Sequence, residues 1–161
     1  MPPEVILITG GVNSGKTGKM KRFVNQERAA GNKPSGIIAE GIFEGGEKVG
    51  FDVKDLSSGE SMPLARISSE KDKGFPAGKY FFSNEGFEFA KKALMNYRPG
   101  GVVFLDEAGP LELADRGYAG CLKTLLNSSV KIFYVAVRGG CLDEIKEFFF
   151  SRIKQIKIIK I

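Results

Sequence analysis

Residues 5–17 read VILITGGVNSGKT, and this stretch decides the fold. Val5 to Ile8 is a short continuous apolar run between a proline and a glycine, the signature of a strand buried on both faces. Gly10 to Thr17, GGVNSGKT, has the spacing Gly-x-x-x-x-Gly-Lys-Ser/Thr of a phosphate-binding loop. Lys16 to Ala30 then carries a helical pattern, with Met20, Phe23 and Val24 on one face. Strand, loop and helix in that order give the motif its mechanism. Gly10, Gly11, Val12, Asn13, Ser14, Gly15 and Gly18 are expected to help wrap a polyphosphate with backbone N–H groups. The helix aims its N-terminal dipole at the anion. Lys16 is expected on the β/γ oxygens and the Thr17 hydroxyl on Mg²⁺. Asn13 stands where many such loops carry Gly, a mild change because Asn tolerates left-handed backbone angles.

Outward from this loop, the pattern predicts strands over Ile37–Phe43 and Lys48–Leu56, flanking Glu44-Gly45-Gly46-Glu47 as a hairpin. A third strand is expected near Met62–Ile67, a charged loop over Ser68–Pro76 and a short strand at Tyr80–Phe82. Asn84 is expected to cap a helix with a stripe of Phe87, Ala90, Leu94 and Tyr97. Further strands are predicted at Val102–Leu105, Val130–Val137 and Ile153–Ile161. Helices are predicted over Ala114–Leu126 and over Leu142–Phe150, the latter with Leu142, Ile145, Phe148 and Phe149 inward. The order predicts an α/β fold: a mostly parallel sheet flanked by helices, with an antiparallel insertion at about residues 36–67, in one domain spanning residues 1–161.

Val102-Val-Phe-Leu-Asp106-Glu107 is four apolar residues followed by two acids. A carboxylate at a second strand end is what a phosphate-loop enzyme uses to hold Mg²⁺, and Asp106 fits that place. Glu107 is positioned to orient and deprotonate a water. A carboxylate directly after the metal-binding Asp favours hydrolysis of a nucleoside triphosphate over simple binding.

Composition narrows the chemistry. The 161 residues contain no histidine, so no imidazole base, Ser-His pair or His-ligated zinc is available. Two cysteines, Cys121 and Cys141, are too few for a disulfide scaffold and are expected as small core residues of a reduced, cytoplasmic protein. No apolar run approaches the ~20 residues of a membrane span, and no charged region precedes Val5 as in a secretory leader. The net charge of +5 is concentrated: Arg152, Lys154, Lys157 and Lys160 sit in the last ten residues without an acid. The rest is nearly neutral, so a general nucleic-acid surface is not expected. RIKQIKIIKI reads as a final strand whose lysines discourage edge pairing. Tyr80, Phe81 and Phe82 read as buried strand aromatics in preference to a base-stacking platform.

Four segments together carry a family resemblance: GGVNSGKT, GIIAEGIFEGGEKVGFDV (Gly36–Val53), GKYFFSNEGFE (Gly78–Glu88) and FLDEAGPLEL (Phe104–Leu113). In this order they resemble the small THEP-type nucleoside-triphosphatases, a family whose human member is called cancer-related nucleoside-triphosphatase. The resemblance implies a RecA-like P-loop core and slow, Mg²⁺-dependent hydrolysis of ATP, GTP and other NTPs to NDP and phosphate. It implies Gly10–Thr17 as the nucleotide loop, and Asp106 and Glu107 as the metal and water-activating acids. It also points to Arg138, since similar members carry a basic residue after this strand, as a stabiliser of developing charge. The chain departs from the family pattern at Gly18, Ala39, Phe43 and Glu47. Two alternatives stay open. One is a kinase or other phosphotransferase, with Ser68–Lys79 as the lid-like segment; GVNSGKT is also similar to the loop of the nucleotide-binding protein of molybdopterin-guanine dinucleotide synthesis. The other is an NTP-binding switch that does not turn over. A monomer is expected, and base preference and biological pathway are not written in any motif.

Overall fold

A computed structural model describes residues 2–11, 14–67 and 73–161. Its elements run β1 (Glu4–Gly10), α1 (Lys16–Ala29), β2 (Ser35–Glu44), β3 (Glu47–Asp55), β4 (Ser61–Arg66), β5 (Gly74–Ala77), β6 (Tyr80–Ser83), α2 (Asn84–Met95), β7 (Val102–Ala108), α3 (Pro110–Leu113), α4 (Ala119–Leu126), β8 (Ile132–Arg138), α5 (Leu142–Phe149) and β9 (Ile156–Lys160). The strands form a mixed sheet in the order β5-β6-β4-β3-β2-β7-β8-β1-β9. From β2 to β9 neighbours pair in parallel, and from β2 to β5 they pair antiparallel.

The apolar runs of β1, β7 and β8 explain the parallel half. Val5 and Leu7 of β1 enter a core shared with Phe87, Ala90 and Leu94 of α2, Leu122 and Leu125 of α4 and Ile145 of α5. Ile6 and Ile8 point the other way, into a second core with Met20 and Val24 of α1. Side chains alternate across a strand, so continuous apolar sequence is what a sheet covered on both faces requires. In the second core Phe104 stacks on Tyr134 with ring centroids 4.3 Å apart. At the edge, Ile156 and Ile158 of β9 pack on one core and Ile159 on the other, leaving Lys157 and Lys160 exposed.

The antiparallel part is larger than the sequence pattern predicts. Four pairings are antiparallel and four parallel, and residues 74–76, expected as loop, belong to β5. Phe75 is the cause: it stacks on Phe82 at 5.7 Å and on Phe87 at 5.8 Å. Residues 68–72 of the expected loop lie outside the described residues. Ser83, and not Asn84, caps α2, its hydroxyl accepting the Gly86 N–H at 3.1 Å. Tyr97 lies beyond the end of that helix. The helix expected from Ala114 begins at Ala119. Asp115 and Gly117 both have φ of 59°, which a right-handed helix cannot include. Phe148 turns to solvent, while Phe150, just past α5, takes a core position.

Two local features fix how the halves and the site-bearing turn are held. Gly36, with φ of 98°, sits where β2 meets β7, and a Cβ there would run into the Phe104 carbonyl oxygen. The turn after β7 is held by Glu112, which is buried and accepts the Gly109 N–H at 2.7 Å and the Tyr118 N–H at 3.0 Å. Burial pushes the Glu112 carboxyl up to about 7, against the pull of these amides.

Gly36→Ala is expected to destabilise the fold by about 2–5 kcal/mol, combining left-handed strain with a backbone clash; chemical denaturation checks it. For Glu112 the folded pKa lies above the unfolded value near 4.5, so the folded state holds the proton more tightly. The resulting stability is complete below about pH 4.5 and is lost as the pH rises through about 7. The stability difference between wild type and Glu112→Gln should therefore shrink by about 3 kcal/mol across that range. Urea unfolding at successive pH values measures it, and a flat difference would contradict the assignment.

Candidate functional site

Three neighbouring parallel strands, β7, β8 and β1, end side by side at their carboxyl edge. Gly10 lies opposite Arg138, and Val137 opposite Ala108. From Gly10 the chain turns into α1, whose N-cap Gly15 adopts φ 92° and ψ 18°, a left-handed geometry suited to glycine. No side chain caps α1 and no acid lies in its first turn. Its first amides therefore keep their capacity for an anion. Gly139, after β8, lets the loop settle close: a Cβ there would stand 2.9 Å from the Gly10 carbonyl oxygen. A Cβ on Gly10 itself would stand 2.5 Å from the Ser14 hydroxyl oxygen, which is buried and has no partner among the described residues.

Lys16 folds back over this turn. Its ammonium donates to the carbonyls of Gly10 and Gly11 at 2.9 and 2.8 Å and pairs with the Glu107 carboxylate at 3.3 Å. Asp106 and Glu107, joined by a cis peptide, face different surroundings. Asp106 is buried; one of its oxygens accepts the Thr17 hydroxyl at 2.9 Å and the Ala39 N–H at 3.1 Å. Burial nevertheless dominates and pushes its carboxyl up to about 6. The Glu107 side chain keeps 32% exposure and lies between two cations, Lys16 and Arg138, the latter at 4.0 Å and half exposed.

Of the residues singled out in the sequence, Gly10, Gly11, Gly15, Lys16, Thr17, Asp106, Glu107 and Arg138 thus meet at one edge of the sheet. Val12 and Asn13 lie outside the described residues. Gly18 is exposed, with open space where a side chain would go, so its departure from the family pattern disturbs no packing. Three participants are not legible as side-chain chemistry. Ala39 contributes only its amide, Gly139 only its lack of a Cβ, and Glu112 sits in a family motif without an evident task. The arrangement combines an uncapped helix start, a cation, a hydroxyl–carboxylate oxygen pair and an accessible carboxylate, which suits a bound polyphosphate and an attacking water. A surface hollow of about 830 Å³ opens at the opposite edge near Lys123, Phe148 and Arg152 and is lined by no carboxylate. No helix among the described residues is long and apolar enough to cross a membrane.

Comparison with known proteins identifies the family and the fold. An NTPase family model matches residues 5–161. The nucleoside-triphosphatase THEP1 of Methanothermobacter thermautotrophicus is 32% identical over 145 residues, covering 88% of this chain and 80% of that protein. THEP1 of Methanopyrus kandleri is 28% identical over 134 residues, covering 83% of this chain and 73% of its own length. The solution structure of a human cancer-related nucleoside triphosphatase superposes with a TM-score of 0.76 at 22% identity, over 98% of this chain and 88% of that one. That likeness shows the shared α/β P-loop fold. The chain belongs to the THEP1-type NTPase family and is a nucleoside-triphosphatase.

Proposed function

We propose that Gly10–Thr17 binds the triphosphate and that Glu107 activates the water that attacks it. One observation carries this reading: Glu107 is the accessible carboxylate at the site, lying between Lys16 and Arg138 and next to the buried Asp106. The loop amides and the α1 N-terminus bind the phosphate oxygens. As the triphosphate enters, Lys16 exchanges Glu107 and the loop carbonyls for the β/γ oxygens. Glu107 is then left facing the γ-phosphate and accepts a proton from the attacking water. The bond from γ-phosphorus to the bridging oxygen breaks, and NDP and phosphate leave. Arg138 compensates charge that develops during this transfer. The whole chain 1–161 serves this reaction as one unit.

The donor set fits Mg²⁺. Thr17 and Asp106 bring hard oxygens together at 2.9 Å. Magnesium is held by one or two protein oxygens, the remaining positions going to phosphate and water. Consistent with that economy, no cluster of three or more acidic or cysteine ligands exists among the described residues. Once bound, the ion would screen the phosphate charge. Broad base use, which the family resemblance implies, belongs to the same proposal. The nearly neutral charge of residues 1–151 supports an enzyme without nucleic-acid partners, and a monomer in the cytoplasm completes the proposal.

Glu107→Gln is expected to bind NTP with near wild-type affinity while turnover falls at least about 100-fold, the scale of a lost general base. Lys16→Ala should lose binding as well. Equilibrium titration with a fluorescent nucleotide and a phosphate-release assay read the two quantities, and unchanged release by Glu107→Gln would sink the assignment. Chelation should stop turnover. Asp106→Asn should raise the Mg²⁺ concentration for half-maximal rate about 10-fold or more; an unchanged metal requirement would remove Asp106 from the metal site.

A further inference from the structure

We propose that Glu112 is a positioning residue for the hydrolytic step: by bridging the Gly109 and Tyr118 amides, it aims the Glu107 carboxylate and backs Arg138. This rests on the reading of Glu107 as the group that activates water.

Glu112 is 3% exposed, and both its carboxylate oxygens are used, one on each amide. Gly109 follows Glu107 by two residues, where the chain leaves β7 for the short turn α3. The same glycine lies under Arg138: a Cβ on it would stand 3.6 Å from the arginine's Cβ. The Gly109 amide is thus anchored between the two charged arms of the site. The other anchor lies in the core. Tyr118 is buried against Phe87 of α2, ring centroids 5.2 Å apart, and α4 begins at the next residue. Glu112 therefore ties the backbone next to Glu107 to the packed helices, across a turn whose Asp115 and Gly117 are left-handed. A simple staple could be apolar. A buried carboxylate is costly, and here it supplies two acceptors at a fixed spacing that one amide or hydroxyl side chain does not reproduce. Displacing a catalytic group by about 1 Å reduces a rate on the order of 100-fold without touching substrate affinity.

The test compares Glu112→Gln, Glu107→Gln and the double variant in the full chain, with Mg-ATP in steady-state and single-turnover assays. Gln keeps one acceptor oxygen and turns an NH₂ toward the other amide. Glu112→Gln should lower kcat about 10–100-fold with KM essentially unchanged, and the double variant should be no slower than Glu107→Gln alone. Wild-type kcat in folded Glu112→Gln overturns the proposal, as do losses that multiply in the double variant or a rise in KM that accounts for the loss. In those cases an inactive Glu107→Gln leaves the water-activating role of Glu107 standing. Full turnover by Glu107→Gln would remove that role and the positioning role with it. Should Glu112→Gln not fold, Gly117→Ala decides, because its Cβ would collide with the Glu112 carboxylate at the Tyr118 side. The same loss confined to kcat is expected, and wild-type kcat in folded Gly117→Ala overturns the proposal.

Discussion

The Lys16 ammonium is almost out of water, its side chain 8% exposed, and it must be satisfied where it stands. It takes two carbonyls from its own loop and one carboxylate from β7. An unpaired buried ammonium would cost several kcal/mol or lose its proton. The loop can therefore hold its lysine inward only if β7 ends beside it with an acid in place. The strand order supplies that acid, since β8 alone separates β1 from β7. Arg138 at the end of that intervening strand completes the ring of charge. In the proposed binding mode a phosphate group takes the place of Glu107 as the partner of Lys16, so that substrate entry would release the carboxylate as it seats the triphosphate.

The sheet's two halves answer different demands. The parallel half must bring strand ends together, and its strands are apolar on both sides because helices cover both faces. The antiparallel half is held mainly by aromatic contacts among Phe51, Phe75, Phe82 and Phe87 on the α2 side. β2 belongs to both halves. Its first residues pair with β7, while further along Ala39 gives its amide to Asp106 and Glu40 reaches Lys21 of α1 at 3.8 Å. The hairpin is thereby tied to the site through backbone and an exposed ion pair, and because the contact to Asp106 comes from the Ala39 amide it does not depend on the side chain at that position.

Much of this was legible because the informative residues are local. Strand, loop and helix around GGVNSGKT follow from consecutive residues, and LDEAG marks the second strand end in the same way. What stayed hidden depends on contacts between distant segments. Residues 74–76 contain a glycine and a proline and read as loop, yet Phe75 finds two rings at once and makes them part of a strand. Asn84 and Ser83 are both good caps, and only the backbone geometry chooses Ser83. In the run Phe148-Phe149-Phe150, three adjacent aromatics give no periodicity to rank, and the end of α5 decides which is inward. Glu112 was visible as part of a motif but its task was not, because both partners are amides and amides carry no sequence signal.

Asp106, Glu107 and Glu112 lie within seven residues of one another and share one chemical type, yet their surroundings divide the work. Asp106 is buried beside a hydroxyl and an amide, a fixed pair of hard oxygens suited to a cation. Glu107 keeps contact with solvent and with two positive groups, so it can meet a water. Glu112 is buried among amides, where it shapes the turn and reaches no substrate. In the proposed mechanism, separation of roles by environment takes the place of the histidine that this chain lacks, with carboxylates in different surroundings assigned to metal binding, proton acceptance and backbone anchoring. The turn from Ala108 to Tyr118 is what keeps those surroundings distinct. It buries Glu112 and leaves Glu107 at the open edge of the sheet, while Thr17 and Ala39 hold the buried Asp106.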